Sequence, residues 1–283
     1  MRTLAALALA LPLFAQDARE IVRISLEREA NSDKIARQYT FLQRVEQREL
    51  DADGKMARRR VKTYDVTLLE GSPYSRLVAR EDKPLAPAEE AREKEKLERS
   101  IRERSREPEA ARIRRIAKWN EERDKDRRQF RKILDAFDFR IVAGDAVAGE
   151  STWLIEATPR PGFRPHSRMT SIFPKMRGRI WISKTNYGWA RMEAETLDTI
   201  TFGAFLARLH KGMRLSMEQE HVNNEVWLPK HICVEYSARV LLLKSTRGEA
   251  EITFSGFRKF QANSRIVNIS EPVNSRPSRT GAQ

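Results

Sequence analysis

His231-Ile232-Cys233-Val234-Glu235-Tyr236-Ser237-Ala238-Arg239-Val240-Leu241-Leu242 is the stretch on which the reading of the fold turns. Its period is two. Ile232, Val234, Tyr236, Ala238, Val240 and Leu242 fall on one face, and His231, Cys233, Glu235, Ser237 and Arg239 on the other. A strand with one dry and one wet side belongs to an antiparallel sheet covered on one face only. The pattern recurs nearby: Met192, Ala194 and Thr196 oppose Arg191, Glu193 and Glu195, while Ile252 and Phe254 oppose Glu251 and Thr253.

Working outward, strand signals are predicted over 137–142, 152–158, 179–184, 189–200, 205–219, 225–228, 231–244 and 250–261. A second group opens the chain. Residues 39–50 run into Asp51-Ala52-Asp53-Gly54, a hairpin signal, and 61–70 returns with Tyr64, Val66 and Leu68 on one face. Gly71-Ser72-Pro73 then turns into a strand at 74–80. Before them, residues 17–39 have helical periodicity through Ile21, Val22, Ile24, Leu26 and Ile35.

Between the two groups the chain changes character. Residues 88–132 hold 17 basic and 12 acidic residues and lack glycine, and apolar positions such as Leu97, Ile101, Ile116, Trp119, Phe130 and Ile133 recur at roughly helical spacing. A helical insert is predicted over 86–137, split at Pro108, because a mid-helix proline loses a hydrogen bond and clashes with the preceding turn. Such mixed charge reads as a solvated helix face or as an arm for a polyanion or partner. The expected class is α+β. It comprises a large curved antiparallel sheet of about 9–11 strands, covered by the N-terminal helix and the charged insert.

The N-terminus reads as an address. Met1-Arg2-Thr3 followed by an apolar run from Leu4 to Ala15, with Pro12 and a small residue before Gln16-Asp17, is the pattern of a secretory signal peptide. The run is too short to remain as a membrane span. Cleavage is expected near Ala15 or Gln16, giving an exported chain, periplasmic or secreted, soluble or peripheral. The expected organisation is a signal peptide at 1–16, a single domain at 17–269 and a flexible tail at 270–283.

Composition then narrows the partners. With 54 Lys+Arg against 40 Asp+Glu the formal net charge is +14, reduced by one when Arg2 leaves. In a cytoplasmic protein that balance would point first to nucleic acid. The export signal argues against nucleic acid and for anionic lipid headgroups, acidic glycans or envelope proteins. The single cysteine, Cys233, closes no internal disulfide and does not follow the leader as a lipid acceptor would.

Enzyme signals are poor, and neither a catalytic set nor a cofactor is expected. There is no Gly-rich phosphate loop, no G-x-S-x-G and no H-E-x-x-H. His231, Cys233 and Glu235 share a strand face, but a zinc site wants a further clustered pair, so the metal expectation is none. Glu218, Glu220 and His221 read as a strand end more readily than as an acid–base group.

The segment 158–192 contains eight basic residues and His166 without one Asp or Glu. Pro161, Pro165 and Pro174 make its first half a loop, interleaved with Phe163, Met169, Ile172, Phe173 and Met176. Arg160, Arg164, Arg168, Lys175 and Arg177 are the candidate contacts for anionic headgroups or a membrane surface. The competing reading is a basic loop folded over the sheet edge with its apolar side chains in the core.

A local series carries a resemblance. Ser151-Thr152-Trp153-Leu154-Ile155-Glu156-Ala157-Thr158-Pro159 is followed by Gly178-Arg179-Ile180-Trp181-Ile182-Ser183-Lys184, then Trp189-Ala190-Arg191-Met192-Glu193-Ala194-Glu195. That order, with the leader and the N-terminal helix, resembles the LolA/LolB/LppX superfamily of lipoprotein carriers and lipid-binding envelope proteins. The resemblance implies an unclosed barrel with an apolar cavity for acyl chains on its concave face. In this sequence the lining would be Trp153, Ile155, Ile180, Ile182, Met192, Val234, Tyr236, Val240, Leu242 and Phe254. It implies a non-enzymatic carrier or sensor whose partner is an acyl lipid or lipoprotein. The alternative is an envelope interaction module that binds an anionic polymer or a partner protein through its basic helices and loop.

Overall fold

The computed structural model describes residues 17–51, 53–147, 149–202, 207–240 and 244–260. The expected leader, the expected tail and Leu242 lie outside them. The chain opens with α1 (Ala18–Ala36), capped by the Asp17 side chain, which accepts from the Arg19 N–H at 2.9 Å. Then come β1 (Tyr39–Leu50), β2 (Met56–Leu69), β3 (Ser72–Arg80) and the short β4 (Lys83–Pro84). The insert is α2 (Pro87–Ser105), α3 (Glu109–Arg131) and the single turn α4 (Ile133–Ala136). Pro108 stands between α2 and α3 as the residue that caps α3, so the expected split is found.

Nine strands follow: β5 (Phe137–Val147), β6 (Glu150–Pro159), β7 (Met176–Ser183), β8 (Trp189–Thr196), β9 (Ile200–Phe202), β10 (Ala207–Leu209), β11 (Arg214–Val222), β12 (Val226–Val240) and β13 (Lys244–Lys259). A 3-10 segment, Thr170–Lys175, precedes β7. The pairings run β4-β3-β2-β1-β13-β12-β11-β8-β7-β6-β5, with β10 beside β12 and β9 beside β10. Eleven strands thus lie on the main path, the upper end of the expected number, and the β9–β10 hairpin makes thirteen among the described residues. The chain's first and last described strands meet as β1 and β13, while β4 and β5 remain opposite edges. The sheet is antiparallel throughout these pairings and open, as expected.

Three predicted boundaries differ for physical reasons. The expected strands 225–228 and 231–244 are one strand, because a register shift lets Gln219 pair with Pro229 and Glu218 with His231. The bulge places the proline, which has no N–H to donate, without ending the ladder. The expected strand 189–200 instead ends at Thr196, whose hydroxyl accepts from the Met213 N–H at 2.9 Å and donates to the His210 carbonyl at 3.1 Å. The expected strand 205–219 accordingly divides into β10 and β11.

Register settles which side chains share a face, since directly paired residues point the same way. Val45, Ile252, Ile232, Met217, Met192, Ile180, Ile155 and Ile141 are successive cross-strand partners from β1 to β5. One apolar row therefore crosses eight neighbouring strands. On the reverse side Glu251, Cys233, Ser216, Glu193, Arg179, Glu156 and Arg140 form the matching polar row.

Candidate functional site

The cover on the apolar face is uneven. Over β5 to β8, α1 sets Ile21, Val22 and Leu26 against Ile155, Ile180 and Ile182, all at most 5% exposed. Ser25 fixes the helix by donating to the Tyr187 carbonyl at 2.6 Å. Trp153 and Met192 pack against the same cluster, and Trp153 tilts against Tyr187 at 5.3 Å. These five candidate lining residues are thus brought together in the part of the face that α1 fills.

The remaining candidates stand on the other wing. Val234, Tyr236 and Ile252 are half-buried, as are Val45, Tyr64 and Val66 on β1 and β2. Phe254 is edge-on to Phe41 at 5.4 Å, and Phe41 also meets Phe257 at 5.9 Å. The Tyr236 ring lies over Gly248, its partner on β13, where a Cβ would come within 2.9 Å of the phenol oxygen. A Cβ there would come closer still to the Arg48 carbonyl of β1, so glycine makes room for both the neighbouring strand and the ring. Val240 ends β12, paired with Ala207 and Lys244.

The charged insert is attached differently. α3 has no buried side chain, and α2 buries only Leu97. At one end Arg115 binds Glu107 at 2.8 Å and donates to the Glu70 carbonyl at 3.1 Å, and Ile116 sits against Gly71. Gly71 has φ +79°, and any Cβ there would come within 2.7 Å of the Ile116 side chain. Further along, the Trp119 ring carries the guanidinium groups of Arg37 and Arg123 at 5.5 and 5.6 Å. Asp33 of α1 accepts from Arg37, from Arg123 at 2.7 Å and from Arg127 at 2.8 Å. At the far end Phe130 meets Trp189 of β8 at 5.4 Å. α3 therefore runs from the β2–β3 turn to β8 as a strap held mainly by polar contacts.

The basic loop divides. Phe163, Ile172, Phe173 and Met176 join the core cluster, with Phe173 at 5% exposure. Three of the five candidate cations are engaged within the protein. Arg160 binds Asp138 at 2.8 Å, Lys175 donates to the Thr199 carbonyl at 2.6 Å, and Arg177 binds Glu195 at 2.7 Å. Arg164 and Arg168 are exposed and have no ion-pair partner among the described residues.

The reverse face is a lattice of ion pairs around a cleft of about 560 Å³, bordered by Glu156, Arg177, Arg179, Glu193 and Arg214. Glu46, 2% exposed, is its most enclosed acid and takes hydrogen bonds from Arg59, Arg44 and Arg48. The Arg59 hydrogen bond is the largest influence and, with those of Arg44 and Arg48, lowers its carboxyl to about 2 against the opposing effect of burial. Nearby, burial and then the Glu249 carboxylate push the Cys233 thiol up to about 12. His231 faces Glu251 at 2.9 Å, and no group of three or more metal-type ligands occurs among the described residues. His221 stacks on Trp227 at 5.1 Å, while Glu218 faces Arg191 at 3.7 Å.

An open antiparallel sheet with one apolar face, partly roofed by helices, defines the class. No protein-family model matches the chain, and no curated protein matches it in sequence. Among solved structures it is similar to an outer membrane lipoprotein-sorting protein domain from Vibrio parahaemolyticus, with TM-score 0.36 and 12% identity, covering 88% of this chain and 94% of that one. It is also similar to a LolA superfamily protein from Nitrosomonas europaea, with TM-score 0.33 and 10% identity over 87% and 94% of the two chains. A DUF1329 family protein from Desulfovibrio piger gives TM-score 0.32 and 11% identity over 88% and 95%.

Proposed function

We propose that this chain is an exported, non-enzymatic protein of the cell envelope that holds an acyl lipid or the acyl part of a lipoprotein on its apolar face, as carrier or sensor. The observation that supports the reading is the half-covered wing of β12, β13, β1 and β2, where Val234, Tyr236 and Ile252 keep apolar surface in contact with solvent beside a core that α1 has filled. An acyl chain laid there removes that surface from water at about 0.8 kcal/mol per methylene. Val234 and Tyr236 would contact the chain directly with Phe254, 9% exposed, backing them, and Val240 and Leu242, whose side chains lie outside the described residues, remain proposed lining positions. Trp153, Ile155, Ile180, Ile182 and Met192 would form the wall at its far end. Arg164 and Arg168, with no ion-pair partner among the described residues, would meet the anionic headgroup, and Arg160, Lys175 and Arg177 would keep their loop in place.

The test is native mass spectrometry of protein released from its own envelope, combined with titration of an acyl fluorophore. A bound lipid mass and saturable probe binding that Val234→Glu weakens about tenfold are expected. Protein that carries no lipid and leaves the probe unbound would overturn the reading.

A further inference from the structure

The inward side of α3 is occupied by Ile116, Trp119, Arg123, Arg127 and Phe130, each in contact with α1, Arg37 at its C-terminal end, β8 or the β2–β3 turn. Opposite them, Arg114, Lys118, Lys125 and Arg128 recur at helical spacing within a stripe about 80° wide and about 20 Å long. All four are exposed, and none has an ion-pair partner among the described residues. Glu121 is the one acid inside the stripe, with Glu122 and Asp126 on its shoulder. Of the other cations of α3, Arg115 pairs with Glu107 and Arg123 and Arg127 pair with Asp33 on the inward side, Arg112 pairs along the helix with Glu109, and Arg131 is exposed in the last turn.

The stripe does not stop at the helix end. Ser167 donates to the Gln129 side chain at 2.6 Å, which brings the 160–169 loop alongside, with Arg164 and Arg168 exposed. The loop also carries an exposed apolar side chain, Met169, at 37% exposure.

We propose that this outer face of α3, continued by the Arg164–Arg168 loop, is a docking surface for an anionic lipid bilayer. Unpaired cations on long stems along a convex helix can all reach one flat, diffuse layer of negative charge. Met169 can enter the headgroup boundary beside them. A folded acidic partner would instead call for localised pairing, which the inward arginines already show. The inference rests on the lipid-holding reading for its purpose: the bilayer contact lies on the outer side of the strap beside the proposed acyl wing.

Full-length mature protein is sedimented with vesicles of phosphatidylcholine containing phosphatidylglycerol and with vesicles of phosphatidylcholine alone. Binding is expected only with the anionic vesicles and should weaken steeply with added salt. The variant R114Q/K118Q/K125Q/R128Q should lose about 100-fold or more in vesicle affinity, at roughly fivefold per cation, and keep its acyl-probe affinity. The control R58Q/K83Q/K211Q/K230Q, equal in charge and exposed elsewhere, should stay within a few-fold of the parent. Equal binding by parent and stripe variant overturns the proposal. So does parent protein that ignores anionic vesicles yet is retained by heparin or an acidic protein, which would assign the stripe to a polymer or protein partner. Vesicle binding that follows the stripe, with no acyl-probe binding, upholds the docking surface and removes the acyl-holding function instead.

Discussion

Asp33 of α1 and Arg127 of α3 are joined at 2.8 Å, with the Asp33 side chain only 10% exposed and Arg37 and Arg123 on the same carboxylate. This carboxylate is the clasp that binds the strap to the helix beneath it. Burial by itself would raise its carboxyl; hydrogen bonds from Arg123 and Arg37 outweigh that and hold it below the usual aspartate range.

Replacing Asp33 with Ala removes the clasp and leaves three arginines facing one another. A loss of about 1–3 kcal/mol is expected, concentrated in α3. Amide exchange should show faster opening across Glu109–Arg131 while β6 and β7 stay protected. Unchanged protection of α3 would deny the clasp its role.

Glu46 should make the sheet acid-sensitive. Its carboxyl is lowered from 4.5 to about 2, so the charged form favours the folded state. That contribution, about 3 kcal/mol, is complete above pH 4.5 and lost as pH falls toward 2. Urea midpoints at neutral pH and near pH 3 check it. Glu46→Gln should be less stable at neutral pH and show a flatter decline in acid.

The two wings of the apolar face should respond differently to truncation. Ile182 is 0% exposed beneath α1, so Ile182→Ala should cost about 2–5 kcal/mol. Val234 is half-buried, and Val234→Ala should cost about 1 kcal/mol while weakening acyl-probe binding. Denaturant melts paired with probe titrations separate the outcomes. Equal stability losses at both sites would mean that the second wing is as closed as the first.

Cys233 should be a slow thiol. With its group raised to about 12, the thiolate at pH 8 is scarcer by about three orders of magnitude than in an ordinary cysteine. Timed maleimide labelling measures this. Glu249→Gln removes the carboxylate that accepts from the thiol at 3.3 Å and should speed the reaction, though burial keeps it slower than a free cysteine.

Much of the sheet was legible because alternation is a local property. The pattern around Val234 and around Met192 named the dry side of β12 and β8, and register sets both in the same covered face. Pro229 misled because a bulge, formed with a neighbouring strand, accommodates it. Arg160, Lys175 and Arg177 could not be seen as engaged, since Asp138, Thr199 and Glu195 lie about 20 residues away in sequence. The candidate lining was read as one group because each position falls on the apolar side of its own strand's alternation. Where α1 lands divides them, and alternation carries no information about that.

The amino-acid order alone determined the strand faces, the N-terminal helix, the break at Pro108 and the excess of positive charge, because each depends on side-chain periodicity or on one residue's backbone chemistry. Tertiary structure decided which half of the apolar face α1 fills, which arginines are spent on Asp33 and Glu46, and which side of α3 faces outward. Those outcomes depend on partners far apart in the chain, and packing and charge pairing act through distance in space.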